Sequence, residues 1–415
     1  MDIFNQRESQ IRSYIRSFPT VFEKAKGAMM YDEQGNEYID FFAGAGVMNY
    51  GHNNEAITQA MIRYLQNDGV VHGLDLGTSA KKQFLQTFTD TILAPRNLDY
   101  KVQFTGPTGT NAIETALKLA RKVTGRSNII SFTNGYHGLT LGALAHTGNI
   151  AYRNPAYVNR MNASFMPFDG YFGPNVNTID YLRKFLEDAS SGVDLPAAIM
   201  LETVQAEGGV NVATAEWLRQ LEKLCREFEI LLIIDDIQVG NGRTGDFFSF
   251  EEAGISPDMV AISKAIGGGL PMAIILIKPE LDQWKPGEHT GTFRGNNLAF
   301  VASVAALDAY WQNDEFSQSV KHKSAVLKTE LESMAQEFPA LDAKVRGRGL
   351  IYGLEIPANG IAKKVSQTAF QKGLVIELAG ARGQVVKFLP PLIIEEDTLL
   401  KGTSIINEAI AGVLS

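Results

Sequence analysis

The feature that most constrains the fold is a series of short apolar runs that each end at a polar residue. Residues 230–234 are five consecutive Ile or Leu side chains that stop at Asp235, and the apolar residues 259–262 stop at Ser263 and Lys264. Short branched apolar runs, separated by stretches with helical periodicity, are typical of buried parallel strands. The alternation predicts an α/β fold in which a mostly parallel, mixed sheet is covered by helices.

The same pattern divides the chain into three parts. Strand-like runs occupy residues 102–104, 129–132, 198–201, 230–234, 259–262 and 274–277, and a predicted hairpin at 28–41 precedes them. After about residue 300, two long helical patterns lead to short strands near 350–355, 374–377 and 385–389. We predict an N-terminal segment (1–54) that joins the small domain, a large domain (55–300) and a small α+β C-terminal domain (301–415).

Composition and charge narrow the class of protein. A chain of 415 residues that is 45% hydrophobic can bury a large core and exceeds one ordinary domain. Its net charge of -8 gives no electrostatic reason to bind nucleic acid or an anionic membrane surface. The single cysteine, Cys225, cannot form an internal disulfide, and the N-terminus lacks a signal-peptide pattern. We therefore expect a soluble, cytoplasmic protein that does not cross a membrane.

An acid and an amine are predicted to meet at one edge of the sheet. Ligands of open α/β sheets bind beyond the carboxyl ends of the strands, so Asp235 and Lys264 should converge there. A carboxylate beside a pyridinium nitrogen and a lysine that can form an imine are the groups that pyridoxal phosphate chemistry requires. Asp236 is the alternative to Asp235, because adjacent strand residues face opposite ways. No metal site is predicted.

Residues 106–121 combine small residues with a following amphipathic helix, directly after the run at 102–104. The N-terminus of such a helix binds phosphate through backbone donors, hydroxyl groups and the helix dipole. The alternative is an ordinary capped helix, in which Asn111 and Glu114 form a capping box.

Two further loops place polar side chains at predicted strand ends. Tyr136 can lay its ring on a flat aromatic cofactor, and His137 can orient a polar neighbour, although a Tyr-His pair in a loop is more often surface decoration. Glu202 and Glu207 offer one carboxylate near a cofactor and one that pairs with a substrate-binding cation. The alternative is that both carboxylates are solvated loop residues. This alternative fits Glu202 less well, because a charge at the end of a buried strand is costly unless it is paired.

Together these segments resemble the class III, fold-type-I, pyridoxal-phosphate-dependent aminotransferases over essentially the whole chain. The most specific combination is Asp235, Gln238, the Gly-Arg-Thr-Gly sequence at 242–245, and Ser263-Lys264 before the glycines at 267–269. The resemblance implies that pyridoxal 5'-phosphate is the cofactor, that Lys264 forms the Schiff base, and that Asp235 pairs with the pyridine nitrogen.

The resemblance also assigns the remaining cofactor contacts. It implies that Gly109 and Thr110 cradle the phosphate, that Tyr136 stacks on the ring, and that Gln238 lies near the ring hydroxyl. It further implies that Thr292 reaches the phosphate of a neighbouring subunit. A homodimer with shared active sites is therefore expected, and a larger assembly is left open.

Within this class, the sequence is most similar to the diaminobutyrate:2-oxoglutarate transaminases of ectoine biosynthesis. Matching stretches lie at 16–19, 41–46, 49–54, 71–75, 106–111, 164–170, 234–238 and 291–295. This similarity implies transfer of an amino group from L-glutamate to L-aspartate 4-semialdehyde, which gives L-2,4-diaminobutyrate and 2-oxoglutarate. Residues 262–271 and Gly77 depart from the subgroup, and the same activity also supplies siderophore and peptide-antibiotic pathways.

One departure affects substrate binding. The wider class often has an arginine that grips the substrate carboxylate and switches with a glutamate at the position of Glu207, whereas this chain has Lys387. A lysine keeps the charge but loses the planar fork, so Arg294 is a candidate to supply part of the grip. The alternative is that Lys387 is simply solvated.

Three other functions compete with this interpretation. Another ω-amine transaminase, acting on ornithine, 4-aminobutyrate or a related diamine, would use the same residues. A racemase or mutase on the same scaffold would not release 2-oxoglutarate. A binding or structural role would require a protein without the cofactor's visible absorbance.

Overall fold

The computed structural model describes residues 2–157 and 162–415. The strands of this part of the chain are β1 (Phe22–Lys26), β2 (Met29–Asp32), β3 (Glu37–Asp40), β4 (Lys101–Phe104), β5 (Ile129–Phe132), β6 (Ala163–Met166), β7 (Ala198–Leu201), β8 (Val204–Gln205), β9 (Asn211–Val212), β10 (Leu231–Asp235), β11 (Met259–Ile262), β12 (Ile274–Ile277), β13 (Lys344–Arg348), β14 (Ile351–Glu355), β15 (Leu374–Val375), β16 (Glu377–Ala379) and β17 (Val385–Phe388).

The helices precede, connect and cover these strands. They are α1 (Asp2–Arg7), α2 (Tyr14–Ser17), α3 (Ala43–Gly46), α4 (Glu55–Gln66), α5 (Ser79–Phe88), α6 (Gly109–Thr124), α7 (Leu141–Leu144), α8 (Thr178–Glu187), α9 (Ala215–Glu227), α10 (Asn297–Tyr310), α11 (Glu315–Glu337), α12 (Ile361–Gln371) and α13 (Glu396–Leu414). None of those described is both long and apolar enough to cross a membrane.

The largest sheet has seven strands in the order β4-β12-β11-β10-β7-β5-β6. Strands β11, β10, β7, β5 and β6 are parallel neighbours, and β12 is antiparallel to both β11 and β4. Strand β4 therefore runs in the same direction as the five parallel strands, and β12 alone is reversed. The predicted mostly parallel, mixed sheet is confirmed.

Both faces of this sheet are buried under helices. In β10, Ile233 packs in the cluster that contains the inner face of α6, whereas Leu232 and Ile234 pack on the opposite face with Trp217 and Leu221 of α9. Alternate strand residues face opposite ways, so a strand covered on both sides must be apolar throughout. Burying one Ile or Leu side chain contributes about 1.5–3 kcal/mol, which explains the uninterrupted apolar runs.

The remaining strands join the two ends of the chain. Strands β1, β2 and β3 form an antiparallel meander, and β3 pairs in parallel with β15, where Ile39 lies opposite Leu374. A separate antiparallel sheet has the order β13-β14-β17-β16. The structure contains the predicted hairpin, and it pairs a strand of the N-terminal segment with a strand near residue 374.

The three-part division of the chain stays a prediction. The boundary predicted between residues 300 and 301 falls inside α10, which packs against α4 and α5.

One buried arginine connects the N-terminal segment, the loop after β10 and the C-terminal part. The Arg243 guanidinium donates hydrogen bonds to the carbonyl oxygens of Leu350 and Pro390 at 2.9 and 2.5 Å, and to Oδ1 of Asn49 at 2.6 Å. Its side chain has no exposed surface. A buried acceptor that loses its donor pays the full desolvation cost, so these contacts link the three segments strongly.

We expect Arg243→Met to destabilise the protein by roughly 3 kcal/mol or more, because it leaves two buried carbonyl oxygens without a donor. Thermal and urea unfolding followed by fluorescence would measure the change. The matched control is Arg183→Met, since Arg183 pairs with Glu227 at 2.7 Å on the surface and its loss should cost less than about 1 kcal/mol. Equal shifts in the two variants would contradict this role for Arg243.

Candidate active site

A cavity of about 390 Å³ opens at the carboxyl ends of the parallel strands. It is lined by nine of the predicted site residues, namely Gly109, Thr110, Tyr136, His137, Glu202, Glu207, Asp235, Gln238 and Lys264. These residues follow β4, β5, β7, β10 and β11, whose ends meet at one edge of the sheet. Three predicted residues, Thr292, Arg294 and Lys387, do not line the cavity.

Asp235 is the acid that reaches the cavity. As the last residue of β10 it lies on the same face as Ile233, and it is 4% exposed. Its Oδ2 is 2.7 Å from Nδ1 of His137. The alternative residue, Asp236, points to the other face and accepts the backbone N–H of Ser249, and burial raises its pKa to about 7. The structure thus separates the two acids and leaves only Asp235 at the cavity.

His137 connects Asp235 to the loop after β5. Its backbone N–H donates to Oγ1 of Thr147 at 3.1 Å, and its ring is 3% exposed. In the described part of the chain, Nε2 of this ring is buried without a hydrogen-bond partner. A contact between Nδ1 and a carboxylate fixes the orientation of the imidazole. His137 in turn holds the Asp235 carboxylate in place.

Lys264 begins a short 3-10 turn directly after β11 and Ser263. Its backbone φ is 55°, in the left-handed region, which costs a residue other than glycine about 1–3 kcal/mol. Such strain persists only where the surrounding structure imposes it, and it often marks a functional site. Burial lowers the pKa of the Lys264 amine, which favours the neutral form that acts as a nucleophile.

The N-terminus of α6 forms one wall of the cavity. Helix α6 starts at Gly109, and the free N–H groups of a first helical turn are suited to binding an anion. A Cβ atom at Gly109 would lie 2.9 Å from Cδ1 of Ile237, so this position has no room for a side chain. The Thr110 hydroxyl lies 2.6 Å from Oγ1 of Thr140 beside it. This cradle of backbone and hydroxyl donors fits a phosphate group.

The capping box predicted for this helix is wrong. The helix begins two residues before Asn111, and the Asn111 side chain donates to Oγ1 of Thr108 at 2.7 Å. Glu114 instead accepts the backbone N–H of Gly142 at 3.0 Å. The Glu114 carboxylate thus contacts the loop near Gly142 instead of its own helix N-terminus. The spacing of residues in the sequence does not reveal this contact.

Glu202 and Tyr136 are held together at the wall of the cavity. The Glu202 carboxylate accepts the backbone N–H of Tyr136 at 2.9 Å and that of Ala206 at 3.3 Å. Burial, and then the charge of Asp235, raises the pKa of Glu202 well above its ordinary value. The Tyr136 ring meets that of Tyr152 edge-on with centroids 5.5 Å apart, and burial raises the pKa of Tyr136 to about 12.

Lys387 is buried, so the alternative that it is simply solvated is wrong. Its side chain has no exposed surface, and Nζ donates to Oε1 of Glu207 at 2.5 Å and to Oε1 of Gln238 at 3.2 Å. The Gln238 amide donates in turn to the Ala45 carbonyl at 2.9 Å. Lys387 therefore lies directly behind two residues that do line the cavity.

Thr292 and Arg294 lie on a separate loop. Thr292 is exposed, and its carbonyl oxygen is 2.9 Å from Nε2 of His72. Arg294 forms an ion pair with Asp75. Within one chain neither residue is brought to the cavity, and their predicted roles stay predictions.

Several cavity residues were not among the predicted site residues. Tyr14 and Tyr152 come from segments without a recognisable motif, and the others are apolar or small. These additional lining residues are Tyr14, Ala45, Gly138, Leu139, Tyr152, Ile237 and Val239.

Glu377 is a further residue that the sequence analysis missed. It lies opposite Lys387 in the antiparallel pair of β16 and β17, and its Oε1 is 2.9 Å from Nζ of Lys387. The strands predicted near 374–377 and 385–389 could have revealed this contact. If they are paired as a hairpin through the intervening glycines, Glu377 and Lys387 lie opposite each other.

The groups around the cavity fit a phosphorylated pyridine aldehyde. Lys264 can supply the amine, Asp235 the carboxylate for a ring nitrogen, and Gly109 and Thr110 the donors for a phosphate. The tyrosine ring of Tyr136 adds a flat apolar surface. The amine, the carboxylate and the phosphate-binding donors thus line the same cavity.

Comparison with known proteins agrees with this geometry. Residues 12–410 match the family described as "Aminotransferase class-III". The chain is 70% identical to the diaminobutyrate–2-oxoglutarate transaminase of Wolinella succinogenes, over 100% of this chain and 97% of that protein. It is 56% identical to the protein of the same name from Bordetella parapertussis, over 100% of this chain and 96% of that one.

Solved structures with the same fold include two from Toxoplasma gondii and one from Elizabethkingia anophelis. The ornithine aminotransferase of T. gondii ME49 has a TM-score of 0.85 at 25% identity, covering 100% of this chain and 94% of that one. A second T. gondii ornithine aminotransferase, described with partial occupancy of PLP at its active site, has a TM-score of 0.86 at 26% identity, covering 100% and 93%. The acetylornithine aminotransferase of E. anophelis has a TM-score of 0.80 at 25% identity, covering 99% and 98%. The predicted fold-type-I architecture is confirmed, and the chain belongs to the class-III aminotransferase family.

Proposed function

We propose that this aminotransferase uses pyridoxal 5'-phosphate to move an amino group from L-glutamate to L-aspartate 4-semialdehyde, giving L-2,4-diaminobutyrate and 2-oxoglutarate. The observation that carries the proposal is the 70% identity, over the whole chain, to a diaminobutyrate–2-oxoglutarate transaminase. The arrangement of Lys264 and Asp235 at one cavity supplies the groups that this chemistry needs.

The chain's own residues bind and orient the cofactor. Lys264 attaches it through the ε-amine, Gly109 and Thr110 hold the phosphate, and Asp235 pairs with the ring nitrogen. His137 keeps Asp235 in position, at 2.7 Å. When bound, the cofactor supplies an aldehyde that accepts the amino group and a ring that withdraws electrons from the carbon being deprotonated.

Proton transfer is assigned to Lys264. Its amine, when free, removes the proton from Cα of glutamate, and the lowered pKa of this amine favours the neutral form that can accept the proton. Burial and the charge of Asp235 raise the pKa of Glu202. Glu202 therefore adds a carboxyl group that takes a proton more readily than an ordinary glutamate. Tyr136 covers the ring, and Gln238 lies near the ring hydroxyl.

The substrate-binding assignment involves three residues. Glu207 faces the cavity and pairs with Lys387 behind it, so an entering carboxylate meets this ion pair. Arg294, held by Asp75 on its own loop, would contribute only to a site outside this cavity.

A second candidate is an ornithine-type ω-amine transaminase. The observation in its favour is the fold similarity to ornithine aminotransferases, with TM-scores of 0.85 and 0.86, although the identity is only 25–26%. Both reactions would use the same catalytic residues, so the length of the aldehyde substrate separates them.

With glutamate as donor, we expect kcat/KM for L-aspartate 4-semialdehyde to exceed that for L-glutamate 5-semialdehyde and for succinate semialdehyde by about tenfold or more. L-Glutamate 5-semialdehyde has one more methylene, which changes transition-state binding by about 1–3 kcal/mol in a closed pocket. Succinate semialdehyde has the same length but lacks the α-amino group, so polar groups that bind this amine would be left unpaired. Steady-state formation of 2-oxoglutarate measures all three. A preference for the five-carbon amino aldehyde would favour the ornithine-type reaction instead.

The controls for this assay are two lysine variants. Lys264→Ala should lower turnover by several orders of magnitude, whereas Lys223→Ala, on the exposed face of α9, should leave it unchanged. Borohydride reduction of the wild-type protein followed by peptide mass mapping should place the cofactor on Lys264. An adduct on another lysine would overturn the mechanism.

We further propose a homodimer with shared active sites, a cytoplasmic location and a role in ectoine synthesis. The dimer is supported by the exposed apolar residues Val70, Val71, Leu76 and Phe293 on the loops around Thr292. The pathway is supported by the similarity to the ectoine-type subgroup. If a strain that lacks the gene still makes ectoine, the proposed role in ectoine synthesis is wrong.

Shared sites predict complementation between two defective variants. Lys264→Ala removes the amine, and Thr292→Ala weakens phosphate binding in the partner's site, so each homodimer should have low activity. Mixed dimers contain one intact site, and random exchange should restore about a quarter of wild-type activity. Subunits would be mixed under mild denaturation and assayed with limiting cofactor. Activity equal to the average of the two separate proteins would contradict shared sites.

A further inference from the structure

Five side chains form a cluster at one side of the cavity, which we call the carboxylate–lysine cluster: Tyr14, Glu207, Gln238, Glu377 and Lys387. Nζ of Lys387 is 2.5 Å from Oε1 of Glu207 and 2.9 Å from Oε1 of Glu377. The Lys387 side chain has no exposed surface, and that of Glu377 is 4% exposed. One buried ammonium therefore stands between two carboxylates.

The two carboxylates occupy different positions relative to the cavity. Glu207 lines it together with Gln238 and Tyr14, whereas Glu377 and Lys387 lie behind them. Oε2 of Glu377 accepts the Tyr14 hydroxyl at 3.2 Å, and Oε1 lies 2.9 Å from the Lys387 ammonium. Because each carboxylate oxygen has two lone pairs, this buried acid can still bind a proton beside these two partners.

The charges of the cluster do not balance when both acids are ionised. Two carboxylates and one ammonium leave one net negative charge, which is costly in a buried place. Burial raises the pKa of Glu377, whereas for Glu207 the effect of burial is outweighed by Lys387 and Lys264, which lower the pKa. Glu377 is therefore the weaker acid of the two and the one that takes a proton first.

The elements packed around Glu377 supply few other ionisable groups. Those that face it are Lys387 from β17, Glu207 from the loop after β8, Lys264 from the turn after β11, Tyr14 from α2 and Tyr152 from the loop after α7. Helix α12 packs on β16 and β17 through Val365, Ser366 and Ala369, and it keeps Lys363 and Lys364 exposed.

A substrate carboxylate would be a third acid beside this one ammonium. Glutamate carries a carboxylate on the carbon whose amino group is removed, and that carboxylate enters on the side of Glu207. The terminal amine of 2,4-diaminobutyrate stands on a carbon without a carboxylate. The two half-reactions therefore place different charges next to the same cluster.

We propose that Glu377 takes up one proton from solvent when the α-carboxylate of glutamate enters beside Glu207 and Lys387, which makes Glu377 a specificity-determining residue for the glutamate half-reaction. The proton binds a carboxylate oxygen of Glu377 and returns to solvent when 2-oxoglutarate leaves, so charge is conserved over the cycle. The inference rests on the proposed function, because it assumes glutamate as the donor.

The variant Glu377→Gln tests this step, because glutamine has the shape of a protonated glutamate and cannot ionise. The holoenzyme would be mixed with glutamate alone, or with 2,4-diaminobutyrate alone, and the apparent Kd of each half-reaction followed by cofactor absorbance between pH 6 and pH 9. For glutamate, the ratio of wild-type to variant Kd should rise by up to about tenfold for each pH unit above the midpoint, as expected for one proton. For diaminobutyrate, the ratio should stay constant.

Taking the ratio at each pH removes the titration of the substrates and of Lys264, which is common to both proteins. Glu355→Gln is the matched control, since Glu355 lies in β14 of the same sheet and pairs with Arg346 at 2.8 Å away from the cavity. A ratio for glutamate that is independent of pH, or equal changes for both substrates, would overturn the proposal. A wild-type protein that forms no 2-oxoglutarate from glutamate would instead overturn the proposed function.

Tyr14→Phe provides a second test on a half-exposed residue, in case Glu377→Gln does not fold. It removes the hydroxyl that donates to Glu377 and keeps the ring that meets Phe42 at 4.7 Å. Loss of a donor disfavours the ionised carboxylate, so the midpoint of the glutamate pH profile should move to higher pH. A midpoint that stays in place or moves to lower pH would contradict the role of Glu377.

Discussion

The structure depends on the meeting of five similarly directed strands at one edge of a doubly covered sheet. Because β4, β5, β7, β10 and β11 run in the same direction, the residues that follow them come together although they are far apart in sequence. Helices cover both faces, so the central strands β7, β10 and β11 are apolar up to their ends, and the polar groups gather where the strands end. The position of the cavity follows from this constraint.

Burial then decides what each polar group at that edge can do. A carboxylate or ammonium taken out of water is stable only when it is paired or changes its protonation state. Asp235 is paired with His137 at 2.7 Å, Glu202 accepts two backbone N–H groups, and Lys264 has a lowered pKa. The same low-dielectric surroundings that make these groups costly also adjust them for binding a cofactor and moving protons.

Lys387 illustrates how a buried ammonium constrains the side chains around it. An ammonium is a compact charge without the planar fork of a guanidinium, so it needs carboxylates placed around it. Here Glu207 and Glu377 supply them from opposite sides, one at the cavity and one on the neighbouring strand. The contact with Glu377 depends on the antiparallel register of β16 and β17. The sequence pattern around Lys387 does not reveal this partner, so a solvated lysine and a buried one were both compatible with it.

The sequence by itself determined the α/β class, the parallel strands and the identity of Asp235 and Lys264 as candidate site residues, because these depend on local periodicity and on the residue that ends each apolar run. Only the tertiary structure decided which side chains meet. It places Asp236 away from the cavity, it pairs Glu114 with the backbone of Gly142, and it brings Tyr14 into contact with Glu377 beside the cavity. The physical reason is that strand register and loop packing bring together residues 28 and 363 positions apart in these two contacts. No local pattern records such contacts.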